Sequence, residues 1–193
     1  MTRRRFDSLR VLGLIALLAI VPVRAGASTF SELRGHIGFG YAKLFATDAP
    51  GGSMAVAAGL DLPVATDLRA GIKAGIDLLG SSAFERGSLL GELDYSVFEV
   101  LGLVHWTPSW RGPLGRVSVG PGLFKAKADL NSAGPAEFED LPVNEWGPGV
   151  SGSVTFISRK PSKVSAGLEI GGRWIALSKE DWSLFNARLV IHY

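Results

Sequence analysis

The sequence has no cysteine, which removes disulfide frameworks, thiolate metal centres, cysteine nucleophiles and the acylated cysteine of a lipoprotein from consideration. Histidine is scarce, limited to His36, His105 and His192, and no Gly-x-Ser-x-Gly elbow occurs. Nothing therefore stands out as hydrolase chemistry. Long apolar runs are also missing: beyond residue 21 none approaches the about 20 residues that a helix needs to cross a bilayer. A surplus of one charge sign is lacking too. The chain of 193 residues carries a formal charge of +2, but Arg3, Arg4, Arg5, Arg10 and Arg24 precede residue 28, with Asp7 the only acid there. The remaining stretch holds 15 of the 20 basic and 17 of the 18 acidic residues, a net of −2. Charge gives no case for nucleic-acid binding.

What is present is apolar, glycine-rich and regular. The composition is 47% hydrophobic with 25 glycines, and the length of 193 residues gives room for one domain and an N-terminal appendage. Residues 1–27 read as a cleaved secretory signal: Arg3 to Arg5 form a positive start, Val11 to Val21 an apolar run too short to span a membrane, and Ala25-Gly26-Ala27 a small-x-small cleavage site. Residues 28–193 are then the folded domain.

Within that domain the apolar residues recur at every second position. Leu68, Ala70, Ile72, Ala74, Ile76 and Leu78 alternate with Arg69, Gly71, Lys73, Gly75 and Asp77. The stretch 163–177 repeats the pattern, with Val164, Ala166, Leu168, Ile170, Gly172, Trp174 and Ala176 against Lys163, Ser165, Gly167, Glu169, Gly171 and Arg173. Period two is a strand with one oily and one polar face. Leu33, Ile37, Phe39, Tyr41 and Phe45 mark a first strand, and Met54, Val56, Ala58, Leu60 and Leu62 a second. Turn-forming clusters supply seven connections, so eight strands are predicted, over 33–46, 53–62, 68–80, 88–107, 115–128, 146–158, 163–177 and 182–193. The fourth strand changes phase: Glu92 and Asp94 share the polar face with Ser96, and a bulge near Val97 or Phe98 would then turn Glu99, Leu101 and His105 inward.

A soluble ligand-binding barrel would put the oily faces inside. The opposite assignment balances charges better. It places Arg34, Arg69, Lys73, Arg116, Lys163, Arg173 and Arg188 in the lumen with Asp61, Asp77, Glu92, Asp94 and Glu169. The outer surface becomes an apolar band edged by Trp106 and Trp110 at one end and by Trp146, Trp174 and Trp182 near the other. That is the pattern of an all-β, eight-stranded, antiparallel, up-and-down transmembrane barrel with aromatic girdles.

The chain stops on an aromatic residue, and counting back from Tyr193, Ile191, Leu189, Ala187 and Phe185 are apolar at every second position. With the signal, the eight alternating strands and the absent cysteines, this resembles the small eight-stranded bacterial outer-membrane proteins, the class of the OmpA membrane domain, OmpX, OmpW and the Opa-like barrels. The resemblance implies an outer-membrane location with both termini periplasmic, a monomer, and contact with lipid and lipopolysaccharide. It further implies that Phe185, Ala187, Leu189, Ile191 and Tyr193 form the signal read by the barrel-insertion machinery. Adhesive members of that class carry long surface loops. Here the connections 47–52, 81–87 and 178–181 are short and only 129–145 is long.

The chemistry-bearing residues have plain readings. His36 and His192, on the first and last strands, become neighbours on closure, yet two histidines without an assured third ligand are no metal centre. The charges Arg69, Lys73, Asp77, Glu92, Asp94, Glu169, Arg173 and Arg188 fit a salt-bridge network better than a channel, because eight strands enclose a lumen just filled by its own side chains. Loop 129–145 bears Asp129, Glu137, Glu139, Asp140 and Glu145 without the spacing of a calcium loop. Lys125 and Lys127 are placed to meet lipopolysaccharide phosphates or simply to snorkel. The expectation is a non-enzymatic membrane barrel with no cofactor and a structural or surface-interaction role. Its alternatives are a small-solute pore or hydrophobic-compound passage, and a soluble periplasmic ligand-binding barrel.

Overall fold

The computed structural model describes residues 32–46, 49–86, 89–108, 114–130, 143–157 and 164–193. The proposed signal at 1–27, Trp110, Lys163 and residues 131–142 of the acidic loop lie outside them. Eight strands follow in chain order: β1 (Arg34–Phe45), β2 (Ser53–Ala65), β3 (Leu68–Arg86), β4 (Leu89–Trp106), β5 (Leu114–Leu130), β6 (Val143–Ile157), β7 (Ser165–Ile175) and β8 (Trp182–His192). Each pairs antiparallel with its sequence neighbour, and β1 pairs with β8 from His36↔His192 to Phe45↔Ser183, so the sheet closes into a barrel. The end at which β1 starts and β8 finishes is the terminal end. The other, where β1 joins β2 and β3 joins β4, is the far end.

The predicted strands and the observed ones differ most at β3 and β4. The segment 81–87, expected as a loop, is largely strand, so this hairpin is 19 and 18 residues tall while β1, β7 and β8 have 11 or 12. Pairing of β2 with β3 ends at Ala55↔Asp77, so the hairpin continues above its β2 neighbour. The expected bulge also moves: β4 alternates without interruption, and the register slips in β3 between Leu78 and Gly80. Gly80 sits there at φ 87°, a left-handed conformation that a side chain would strain.

Uninterrupted alternation in β4 turns Leu93, Val97, Glu99, Leu101, Leu103 and His105 inward, all buried, and leaves Glu92 and Asp94 exposed on the outside. These two acids were expected in the lumen and are not there. The reason is that the two faces exchange polarity along the strand. From Phe98 to Trp106 the outer face is apolar; above Phe98 it is polar, and the inner face becomes apolar instead. Outward, Ile37, Phe39, Phe45, Ile72, Ile76, Val119, Leu123, Val150, Leu168, Leu189 and Ile191 are exposed around the wall.

Candidate functional site

The barrel interior holds three neighbouring regions. Toward the far end Ala42, Leu44, Ala55, Leu79, Val97, Phe124, Ala126, Ala128, Ile175, Trp182 and Leu184 form one buried cluster, which reaches down β4 to Leu101 and Leu103. The Tyr95 and Trp182 rings lie 5.9 Å apart inside it. Trp182 therefore belongs to this plug and not to the outer girdle, because β8 presents its even positions inward at that end.

Below the plug the lumen is charged. Arg173 on β7 donates from Nη1 to Glu99 Oε2 at 2.8 Å and also to Asp77 Oδ2. Arg188 on β8 donates from Nη2 to Asp77 Oδ1 at 2.9 Å and lies 3.4 Å from Glu99 Oε1. Its Nη1 is 3.6 Å from Glu169 Oε1, which also takes Lys73 Nζ at 3.4 Å. In a ring of eight, β7 stands across from β3 and β8 from β4, so these pairs brace opposite walls. The close approach depends on Gly75, where a Cβ would lie 2.9 Å from Glu99 Oε1. Among the described residues the middle region sets Asp77, Glu99 and Glu169 against Lys73, Arg173 and Arg188. Each of these carboxylates is thus committed to a cation, an arrangement that favours bracing over proton transfer.

At the terminal end the three histidines converge. The His36 ring centroid is 5.7 Å from that of His192 and 6.3 Å from that of His105. His105 Nδ1 is 2.8 Å from Ser118 Oγ. Asp61 pairs with Arg69, and its Oδ1 lies 3.7 Å from His36 Nδ1 and 3.8 Å from Arg116 Nη1. Among the described residues no group of His, Asp or Glu is arranged to hold a metal ion.

Of the residues expected to form one network, the structure brings together Lys73, Asp77, Glu169, Arg173 and Arg188. Arg69 instead joins Asp61 at the terminal end, donating further to the Asp61 and Glu32 carbonyl oxygens. Arg34, also expected inside, is exposed. Asp94 is met on the outer surface by the Ser81 hydroxyl at 2.6 Å. Glu99, expected to face inward but not to join the network, stands at its centre. The signal that finds it without any bulge is strict alternation, counted over odd positions from Leu93 to His105.

On the outer wall Trp106, Trp146 and Trp174 are exposed, as are Phe185, Leu189, Ile191 and Tyr193 of the C-terminal stretch, with Ala187 half-buried between them. Lys125 lies over the Trp146 ring at 5.9 Å and Lys127 pairs with Asp129 at 2.7 Å. Two cross-strand rows result, Phe98–Lys125–Trp146 and, one step toward the far end, Ser96–Lys127–Asn144.

No protein-family model matches the sequence, and no curated protein does. Solved structures do. Neisserial surface protein A is 11% identical, with 83% of this chain and 96% of that one covered and a TM-score of 0.55. Ail, the attachment invasion locus protein of Yersinia pestis, is 12% identical over 84% and 99% with a TM-score of 0.54. A major outer membrane protein of Thermus thermophilus is 10% identical over 83% and 97% with a TM-score of 0.58. At such identities the likeness is one of architecture: this chain has the fold of the small eight-stranded outer-membrane β-barrels.

Proposed function

We propose that the chain is an integral outer-membrane protein with a closed lumen, serving as a structural or surface-interaction element and not as an enzyme or an open pore. The observation that carries this reading is the aligned change of polarity on the outer wall. Phe98, Lys125 and Trp146 stand in one row, with the polar row Ser96–Lys127–Asn144 above it and an apolar wall below it down to Trp106. On β4 that wall spans residues 98–106, in keeping with the about 9 to 11 residues with which a tilted strand crosses a bilayer. A soluble barrel has no use for such a belt of exposed Ile, Leu, Val and Phe.

In this reading residues 1–27 direct export, both termini face the periplasm, and the terminal strand ending at Tyr193 is what the insertion machinery recognises. Lys125 and Lys127 reach the phosphates of the outer leaflet. The packed apolar plug and the cross-lumen guanidinium pairs argue against passage of solutes. The tall β3–β4 hairpin, rising from the far end, gives a partner a surface to grip; Ail, of the same fold, has been solved with the heparin analogue sucrose octasulfate. Electrophoresis of unboiled against boiled protein from an outer-membrane fraction tests location and closure together. A faster-migrating unboiled band is expected, with no steady conductance in planar bilayers. Recovery in the soluble periplasmic fraction overturns the membrane reading, and defined single-channel steps overturn the closed lumen.

A further inference from the structure

We propose that the terminal end of the lumen is a binding site for a small oxyanion of the phosphate class, with the Arg116 guanidinium as its principal ligand. The starting point is a difference in balance. The middle region matches its carboxylates and cations, whereas the terminal region, among the described residues, offers Asp61 alone to both Arg69 and Arg116. Asp61 is in direct contact with Arg69, while Arg116 Nη1 stands 3.8 Å away, beyond hydrogen-bond reach. Arg116 is thus a buried cation, 4% exposed, that shares Asp61 with Arg69 at ion-pair distance and makes no hydrogen bond to it.

Its unmet donors have a particular shape. Nε and Nη2, both without a partner, lie on one edge of the planar guanidinium, the fork that takes two oxygens of one oxyanion side by side. Thr155 stands directly opposite Arg116 on β6, and its buried hydroxyl is also unpartnered. The histidines complete the lining: His36 Nε2, His105 Nε2 and His192 Nε2 are buried with nothing to bond. Buried polar groups are normally satisfied, so this many unmet groups in one layer point to a ligand.

The mixture of groups favours phosphate over other anions. A guanidinium and a hydroxyl supply donors to its oxygens. A neutral imidazole with a free ring nitrogen can accept the P–OH proton that hydrogen phosphate carries and sulfate lacks. The carboxylate facing this layer from β7 is Glu169, opposite Thr155 in register, and it is already engaged by Lys73 and Arg188. Access is from the terminal end, where His192 is only half-buried. Arg34 is exposed at the same end.

The test uses the full folded domain in detergent micelles and inorganic phosphate as the probe. Phosphate should broaden saturably in its phosphorus resonance and raise the unfolding midpoint, with sulfate and chloride clearly weaker. Arg116→Lys keeps the charge and removes the fork, and should weaken phosphate binding by about tenfold or more, the worth of one charge-assisted hydrogen bond. Should that variant not fold, Thr155→Val, nearly isosteric, should give a smaller loss in the same direction. Arg34→Gln on the rim should change nothing. Absence of saturation in the wild type, equal binding of sulfate, or unchanged binding in both Arg116→Lys and Thr155→Val overturns the proposal.

Discussion

The two halves of this lumen are closed by different physics. Toward the far end the inward positions are Ala, Leu, Val, Ile, Phe and Trp, packed to near-zero exposure. Toward the middle the same wall turns Asp77, Glu99, Arg173 and Arg188 into the same cylinder. An apolar plug loses stability in proportion to the volume removed from it. A charge network loses little if a matched pair is replaced by apolar groups, and much if one partner is left alone. Facing inward therefore does not imply polarity in this barrel.

Single removal from the network should be the most damaging change. Arg188→Met strips partners from Asp77, Glu99 and Glu169 at once, and a cost of about 3 to 5 kcal/mol is expected, read as a lower urea midpoint for loss of the fast-migrating folded band. Next comes the plug: Leu44→Ala, opposite Leu184 in register, should cost about 2 to 5 kcal/mol by the same measurement. If Arg188→Met proves the milder of the two, the charged half is not the brace described above.

A third variant sharpens the contrast. Replacing both Lys73 and Glu169, by Met and Leu, removes a pair without stranding a charge on either member, and should stay within about 1 kcal/mol of wild type, although Lys73→Met alone should not. A double variant as unstable as the single one would show that packing, not charge, is what Lys73 contributes. The smallest effect belongs to Glu92→Gln, whose side chain is exposed outside the barrel; its midpoint should match the wild type. A loss there comparable to that of Arg188→Met would restore Glu92 to the lumen.

Much of this is legible in the chain itself. Period-two alternation in β3 and β7 places Lys73, Asp77, Glu169 and Arg173 inside, because a strand cannot turn neighbouring side chains to one face. The seven turn clusters yield the strand count. Hydrophobic periodicity misleads where a face changes polarity along its length. Following the oily phase of β4 puts Glu92 and Asp94 inward, whereas the strand has only passed from one outer environment into another. Trp182 misleads for the same reason, since an aromatic near a rim can face either way. The bulge at Gly80 is invisible as well, because a single φ of 87° leaves no mark in hydrophobic periodicity.

The sequence by itself determined the strand number, the alternation and the candidates for interior charge, since these follow from local geometry and turn chemistry. Only the closed barrel decided which charges meet. Asp77 and Arg188 are 111 residues apart, and His36 and His192 face each other only because β1 pairs with β8 in one register. Register across non-adjacent strands depends on closure of the whole ring, a property no single strand carries. The unmet donors of Arg116 come from the same source: a charge can be counted in a sequence, but whether it has a partner is settled across the lumen.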